Sequence, residues 1–108
     1  MEPDVWKIEG LDRRDDCIAI ANQCMVGGRD GVKCVVLGRG ADGRVVDGWL
    51  RTGATVPGYA GFAIGRSIWW EPLKGFVEGR LIRASAASQI EDNFRHFVKV
   101  YRSAETAS

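Results

Sequence analysis

The sequence has no apolar run approaching the roughly 20 residues that cross a bilayer, so a membrane-spanning helix is not expected. Its first residues, Met1-Glu2-Pro3-Asp4, are acidic and lack the basic and apolar regions of a signal peptide. It has almost no net charge, with 15 Lys and Arg against 14 Asp and Glu. No basic stripe is interleaved with aromatics, which argues against a nucleic-acid footprint. Cysteine is scarce: three residues, Cys17, Cys24 and Cys34, an odd number without CxxC spacing. That count argues against both a disulfide framework and a zinc site, and favours buried, reduced thiols in a cytoplasmic setting. There is a single histidine, His96, inside a helical pattern, where it reads as a surface or helix-packing residue. HExxH, GxSxG and GxxxxGK[ST] are all missing. Neither a metal nor a cofactor is expected.

What is present is one domain's worth of alternating periodicities in 108 residues. "DVWKIEGL" is strand-like. "DRRDDCIAIANQCMVGG" follows, with Cys17, Ile20, Ala21, Cys24 and Met25 at helical spacing, Asp12 as expected N-cap and Gly27-Gly28 as the stop. "GVKCVVLGRG" is a second strand. "ADGRVVDGWLRTGA" is a weaker helix with Val45, Val46, Trp49 and Leu50 on one side. "YAGFAIGRS" is a third strand. "EPLKGFVEG" reads as a short helix with Pro72 in its first turn, and "ASQIEDNFRHFVKVYRSAE" as a long one striped by Ile90, Phe94, Phe97, Val98 and Tyr101. Residues 1–103 form the expected domain, and 104–108 a frayed tail. The long helix lacks an acidic start.

Strand and helix alternate three times, which predicts an α/β fold of three consecutive βα units with parallel strands. In the first strand Trp6 and Ile8 point one way and Val5, Lys7 and Glu9 the other. If helices cover the Trp6/Ile8 face, Lys7 and Glu9 are expected to face an interior instead of bulk water.

Two features could carry chemistry. Lys7 and Glu9 lie two strand residues apart, roughly 6.7 Å between α-carbons, so both can reach one small molecule. A desolvated lysine becomes a neutral amine able to form a Schiff base, and a neighbouring carboxylate can move protons. The competing reading is a wet strand face carrying two ordinary charges. The second feature is a quasi-repeat, "VVLGRGADG" and "FAIGRSIWW", in which each strand ends in Gly-Arg: Gly38-Arg39-Gly40 and Gly65-Arg66-Ser67. Glycine lets a ligand approach the backbone, the following helix offers free N–H groups, and arginine suits phosphate. Alternatively, the glycines serve only tight turns and the arginines are surface residues. Trp69 and Trp70 could wall a sugar pocket, although core packing is the expected role.

The stretches "PDVWKIEGLDRRDDC", "GGRDGVKCVVLGRGAD", "VPGYAGFAIGRSIWWEPLKGFVEGR" and "NFRHFVKVY" resemble the C-terminal part of the DUF2090 family, from Pro3 to about Tyr101. That family is the 2-deoxy-5-keto-D-gluconate 6-phosphate aldolase domain, often fused behind a sugar kinase domain in inositol-degrading enzymes. More distantly the chain is similar to tagatose-1,6-bisphosphate aldolases, which are class I enzymes on a (βα)₈ barrel. The resemblance implies that the three units correspond to the C-terminal part of a TIM barrel, strands six to eight. It implies a Schiff-base role for Lys7 with Glu9 beside it. It places the phosphate at Gly38, Arg39, Gly40, Gly65, Arg66 and Ser67. The implied reaction is carbon–carbon cleavage of a phosphorylated keto-sugar acid to dihydroxyacetone phosphate and malonate semialdehyde.

About five strands of such a barrel are not in this sequence. The expected sheet therefore has two open edges and an uncovered inner face. Its expected partners are a small sugar phosphate and either another copy or another barrel segment. The alternative function is a non-catalytic sugar-phosphate-binding or assembly fragment.

Overall fold

Short β-branched and aromatic stretches form three strands: β1 (Val5–Glu9), β2 (Lys33–Leu37) and β3 (Tyr59–Ala63). The structure is a computed structural model and describes residues 4–29 and 31–107. The strands are parallel in the order β1-β2-β3. Helix α1 (Arg14–Cys24) connects the first two, and α2 (Gly43–Ala54) the second and third. Helices α3 (Arg66–Val77) and α4 (Arg83–Ala107) follow β3. This is the α/β arrangement the alternation predicts: an open parallel sheet of βα units.

The register sorts the sheet into two faces. Trp6, Cys34 and Tyr59 share one row, and Ile8, Val36 and Phe62 the next. On this face Cys34, Val36 and Tyr59 join Cys17 and Ala21 of α1, Val46 and Leu50 of α2, and Ile68 of α3 in one core. Helix α4 adds Phe97, Val100 and Tyr101 to it. The rings of Phe94 and Tyr101 lie 6.3 and 6.0 Å from that of Phe62. The opposite face carries the rows Lys7–Val35–Gly61 and Glu9–Leu37–Ala63, none of which belongs to the core. The shortest molecular extent, 18 Å, fits one sheet and one helical layer. All the helices are therefore on the Trp6/Ile8 side, and both outer strands are edges among the described residues.

Burial keeps the core's titratable groups neutral. It pushes the Cys34 thiol up to about 12, helped by its hydrogen bond to Cys24, and raises the Cys17 thiol as well. The Tyr59 phenol is also held above its ordinary range, by burial first and then by the neighbouring Cys17. Its hydroxyl nevertheless makes no hydrogen bond of good geometry, and the soft sulfur of Cys17 is only an approximate partner.

Several local expectations change. Asp12 does not cap α1. The helix starts at Arg14, with Arg13 at the N-cap and no side-chain capping bond, because the Asp12 carboxylate accepts from Trp49 Nε1 at 3.0 Å. Helix α2 does have an acidic cap, Asp42, which accepts from the Arg44 amide at 2.9 Å. Val45, expected on its apolar side, is exposed. Trp69 and Trp70 are both exposed, so neither is a core residue. Helix α4 has no acidic residue in its first turn, as the sequence suggests, and stays helical through residues 104–107. Residue 108 lies outside the described residues.

The largest local difference concerns Pro72. Helix α3 begins five residues earlier than expected, at Arg66 behind an N-cap at Gly65, so Pro72 is buried in mid-helix. A proline there cannot donate to the carbonyl four residues back, that of Ile68. Asn93 of α4 takes over: its Nδ2 donates to the Ile68 oxygen at 2.8 Å. One side chain thus repairs α3 and ties it to α4. Replacing Asn93 by alanine leaves that carbonyl unpaired and should cost about 1–2 kcal/mol in urea unfolding. In the Asn93→Ala background, Pro72→Ala restores an N–H for Ile68 and should recover most of that loss.

Candidate functional site

The carboxyl ends of parallel strands are where ligands meet an open α/β sheet, because side chains and helix N-termini converge there. Here Glu9 ends β1, and its Oε1 accepts from Arg39 Nε at 2.7 Å. Arg39 sits in the turn after β2, with a left-handed backbone at φ 53°, followed by Gly40 at φ 69°. An arginine in that region carries backbone strain, and such residues gather at binding sites. The turn closes through the Ala41 amide donating to the Gly38 oxygen at 3.0 Å.

The loop after β3 is stitched onto this turn. Arg66 Nη2 donates to the Arg39 carbonyl at 3.1 Å, and Ser67 Oγ donates to the Ala41 carbonyl at 2.7 Å. Gly40 suits this turn in two ways. Its φ is positive, and a Cβ there would stand 3.0 Å from the Arg66 guanidinium carbon. At Gly38 a Cβ would come within 2.7 Å of Ile64 Cδ1. The sequence quasi-repeat is therefore a spatial pair. Arg39, Gly40, Gly65 and Arg66, with Leu37, Ala63 and Trp69, line an open cleft of about 440 Å³.

Both members of the Glu9–Arg39 pair are mostly exposed, at 61% and 65%. An exposed pair contributes little to stability, so Arg39 can exchange its carboxylate partner for an incoming anion at small cost. Lys7 is on the same face as Glu9, one strand step further from the cleft, beside Val35 and Gly61. Lys7 and Glu9 are both exposed, which corrects the expectation that they face an interior. The helices do cover the Trp6/Ile8 face, but nothing among the described residues is layered over the other one.

One comparison with known proteins is informative. A family model described as "uncharacterized protein conserved in bacteria (DUF2090)" matches residues 1–105. The chain belongs to the DUF2090 family. No curated protein and no solved structure matches it.

In this DUF2090 chain Trp69 takes the pocket-wall position that the sequence allows as the alternative to core packing: it lines the cleft, and its Nε1 would lie 3.4 Å from a Cβ at Gly65. The signal available was its position three residues after Arg66, one helical turn from the strand end. Leu37 and Ala63 also border the cleft, and strand alternation does not single them out, because an uncovered face carries no mark of which of its residues edge a cleft. His96 is not among the residues that line the cleft. Its Nε2 pairs with the Asp47 carboxylate at 2.9 Å and joins α4 to α2, the packing role its sequence context suggested. Among the described residues, no group of three or more His, Cys, Asp or Glu side chains is placed to hold a metal ion. No helix among them is long and apolar enough to cross a membrane.

Proposed function

We propose that residues 1–103 are the sugar-phosphate end of an aldolase-type carbon–carbon lyase, which works when further βα segments cover the open sheet face. The observation that carries this reading is that Arg39 and Arg66 line one cleft at the strand ends, with Glu9 ion-paired to Arg39 and Lys7 on the same sheet face as Glu9. The substrate is a phosphorylated keto-sugar acid such as 2-deoxy-5-keto-gluconate 6-phosphate. Its phosphate sits between Arg39 and Arg66, against the glycine backbone of Gly40 and Gly65, while Gly38 and the Ser67 hydroxyl, which donates to the Ala41 carbonyl, shape the loops that hold it.

The neutral Lys7 amine adds to the substrate ketone, and loss of water leaves an iminium. Glu9 accepts the proton of the hydroxyl on the carbon beyond the bond to be broken. That bond's electrons move into the iminium, releasing malonate semialdehyde and leaving an enamine. Protonation and hydrolysis of the enamine give dihydroxyacetone phosphate and restore Lys7. A covering layer is needed because an ammonium in water stays protonated, whereas burial favours the free amine.

A second reading, a non-catalytic sugar-phosphate-binding or assembly module, is favoured by the exposure of Lys7. Borohydride reduction in the presence of dihydroxyacetone phosphate separates the two. The aldolase reading expects a mass adduct at Lys7 that Lys7→Arg abolishes. With the covering βα segments supplied, a folded sample that binds phosphate without any adduct leaves only the binding module. Both readings expect Arg66→Ala to weaken phosphate binding about tenfold by calorimetry, and unchanged binding in that variant would remove the cleft from either.

A further inference from the structure

The core contains a thiol pair that the proposed chemistry does not use. Cys24 is the last residue of α1 and Cys34 the second of β2, and the Cys34 thiol donates to the Cys24 sulfur with 3.3 Å between the two. Both are free, as is Cys17. Their exposure differs: Cys34 is 1% accessible, whereas Cys24 is half-buried and lines an open cleft of about 410 Å³ with Trp6, Ile8, Ile20 and Gln23.

We propose that Cys24 and Cys34 are a reversible oxidation site, in which Cys24 meets a peroxide in that cleft and Cys34 resolves the product as an intramolecular disulfide. Each step balances. The Cys24 sulfur takes one peroxide oxygen, the other leaves as water, and a sulfenic acid remains. The Cys34 sulfur attacks that sulfenic sulfur, and its proton leaves with the hydroxyl as a second water. The two thiols lose two electrons and the peroxide gains them.

The geometry supports the second step. A disulfide is about 2.05 Å long, so the sulfurs must close by roughly 1.2 Å. Within the segment that joins them, Gly27 and Gly28 would meet nothing within 4 Å even with a Cβ added, so no packing at these two positions opposes the movement. Cys17 is also buried but is neither hydrogen-bonded to Cys24 nor a lining residue of the cleft. The bond would pin the end of α1 to the start of β2, away from the Gly-Arg loops, so the site stands independently of the sugar-phosphate reading.

The test is hydrogen peroxide on the folded full chain, alkylation after unfolding, then trypsin. The expected product joins residues 15–29 to residues 34–39, with a loss of about 2 Da, Cys24 in the link and Cys17 alkylated. Dithiothreitol should reverse it, and the oxidised form should melt several degrees higher, because a closed loop restricts the unfolded chain. In Cys34→Ala, oxidation should stop at a sulfenic acid on Cys24 that dimedone captures. In Cys24→Ala, Cys34 should react at least tenfold more slowly than Cys24 does in the parent chain. A link through Cys17, disulfides only between molecules, or equal reactivity of Cys34 without Cys24 would each overturn the proposal.

Discussion

Leu50→Ala should lower the unfolding free energy by about 2–5 kcal/mol, seen as a fall in the urea midpoint with an unchanged slope. Leu50 is completely buried in the middle of α2, where it meets the core between the sheet and α4. Truncating it removes the transfer free energy of its methyl groups and leaves a cavity that a helix held on two sides cannot collapse into. A small domain has about 5–15 kcal/mol in total, so this variant should be partly unfolded at 37 °C. Val45→Ala, on the exposed side of the same helix at 44% accessibility, should change stability by less than about 0.5 kcal/mol. Equal effects at the two positions would mean that α2 is not packed by the face described.

The second large effect should come from a single methyl group at Gly10, where an alanine is expected to cost about 3 kcal/mol. A Cβ at Gly10 would lie inside the Trp49 indole. The ring would have to swing out, breaking its hydrogen bond to Asp12 and uncovering the connection between β1 and α1. Gly10 directly follows Glu9, so the same shift should loosen the Glu9–Arg39 pair at the cleft. A double-mutant cycle isolates the cause. In the Trp49→Ala background, Gly10→Ala should cost less than about 1 kcal/mol, giving a coupling of about 2 kcal/mol. Additive losses would show that the glycine serves backbone conformation and not the packing of the indole.

The two residues illustrate different degrees of legibility. Leu50 follows from helical spacing with Val46, because burial of a helix stripe depends on a period that the chain itself carries. Nothing around Gly10 announces an indole from 39 positions further along the chain, brought there by the crossover of α2. The same division applies at the cleft. The repeated Gly-Arg endings mark two strand ends that parallel pairing must place side by side, so their convergence could be anticipated from order and direction. The left-handed Arg39, its ion pair with Glu9 and the clasp of Arg66 and Ser67 onto neighbouring carbonyls could not. For Trp69 the sequence allows both a pocket wall and core packing, because an aromatic at helical spacing looks the same whether it faces a core or a cleft.

By itself the sequence determined three strands, their parallel direction and the face shared by Lys7 and Glu9, because residue periodicity and crossover length are properties of the chain. Tertiary structure alone decided that the helices lie on the Trp6/Ile8 side, that Asn93 pairs the carbonyl left free by Pro72, and that Cys24 meets Cys34. Each of these depends on what a distant segment places opposite a residue, and a linear pattern holds no record of the partner across a packed interface.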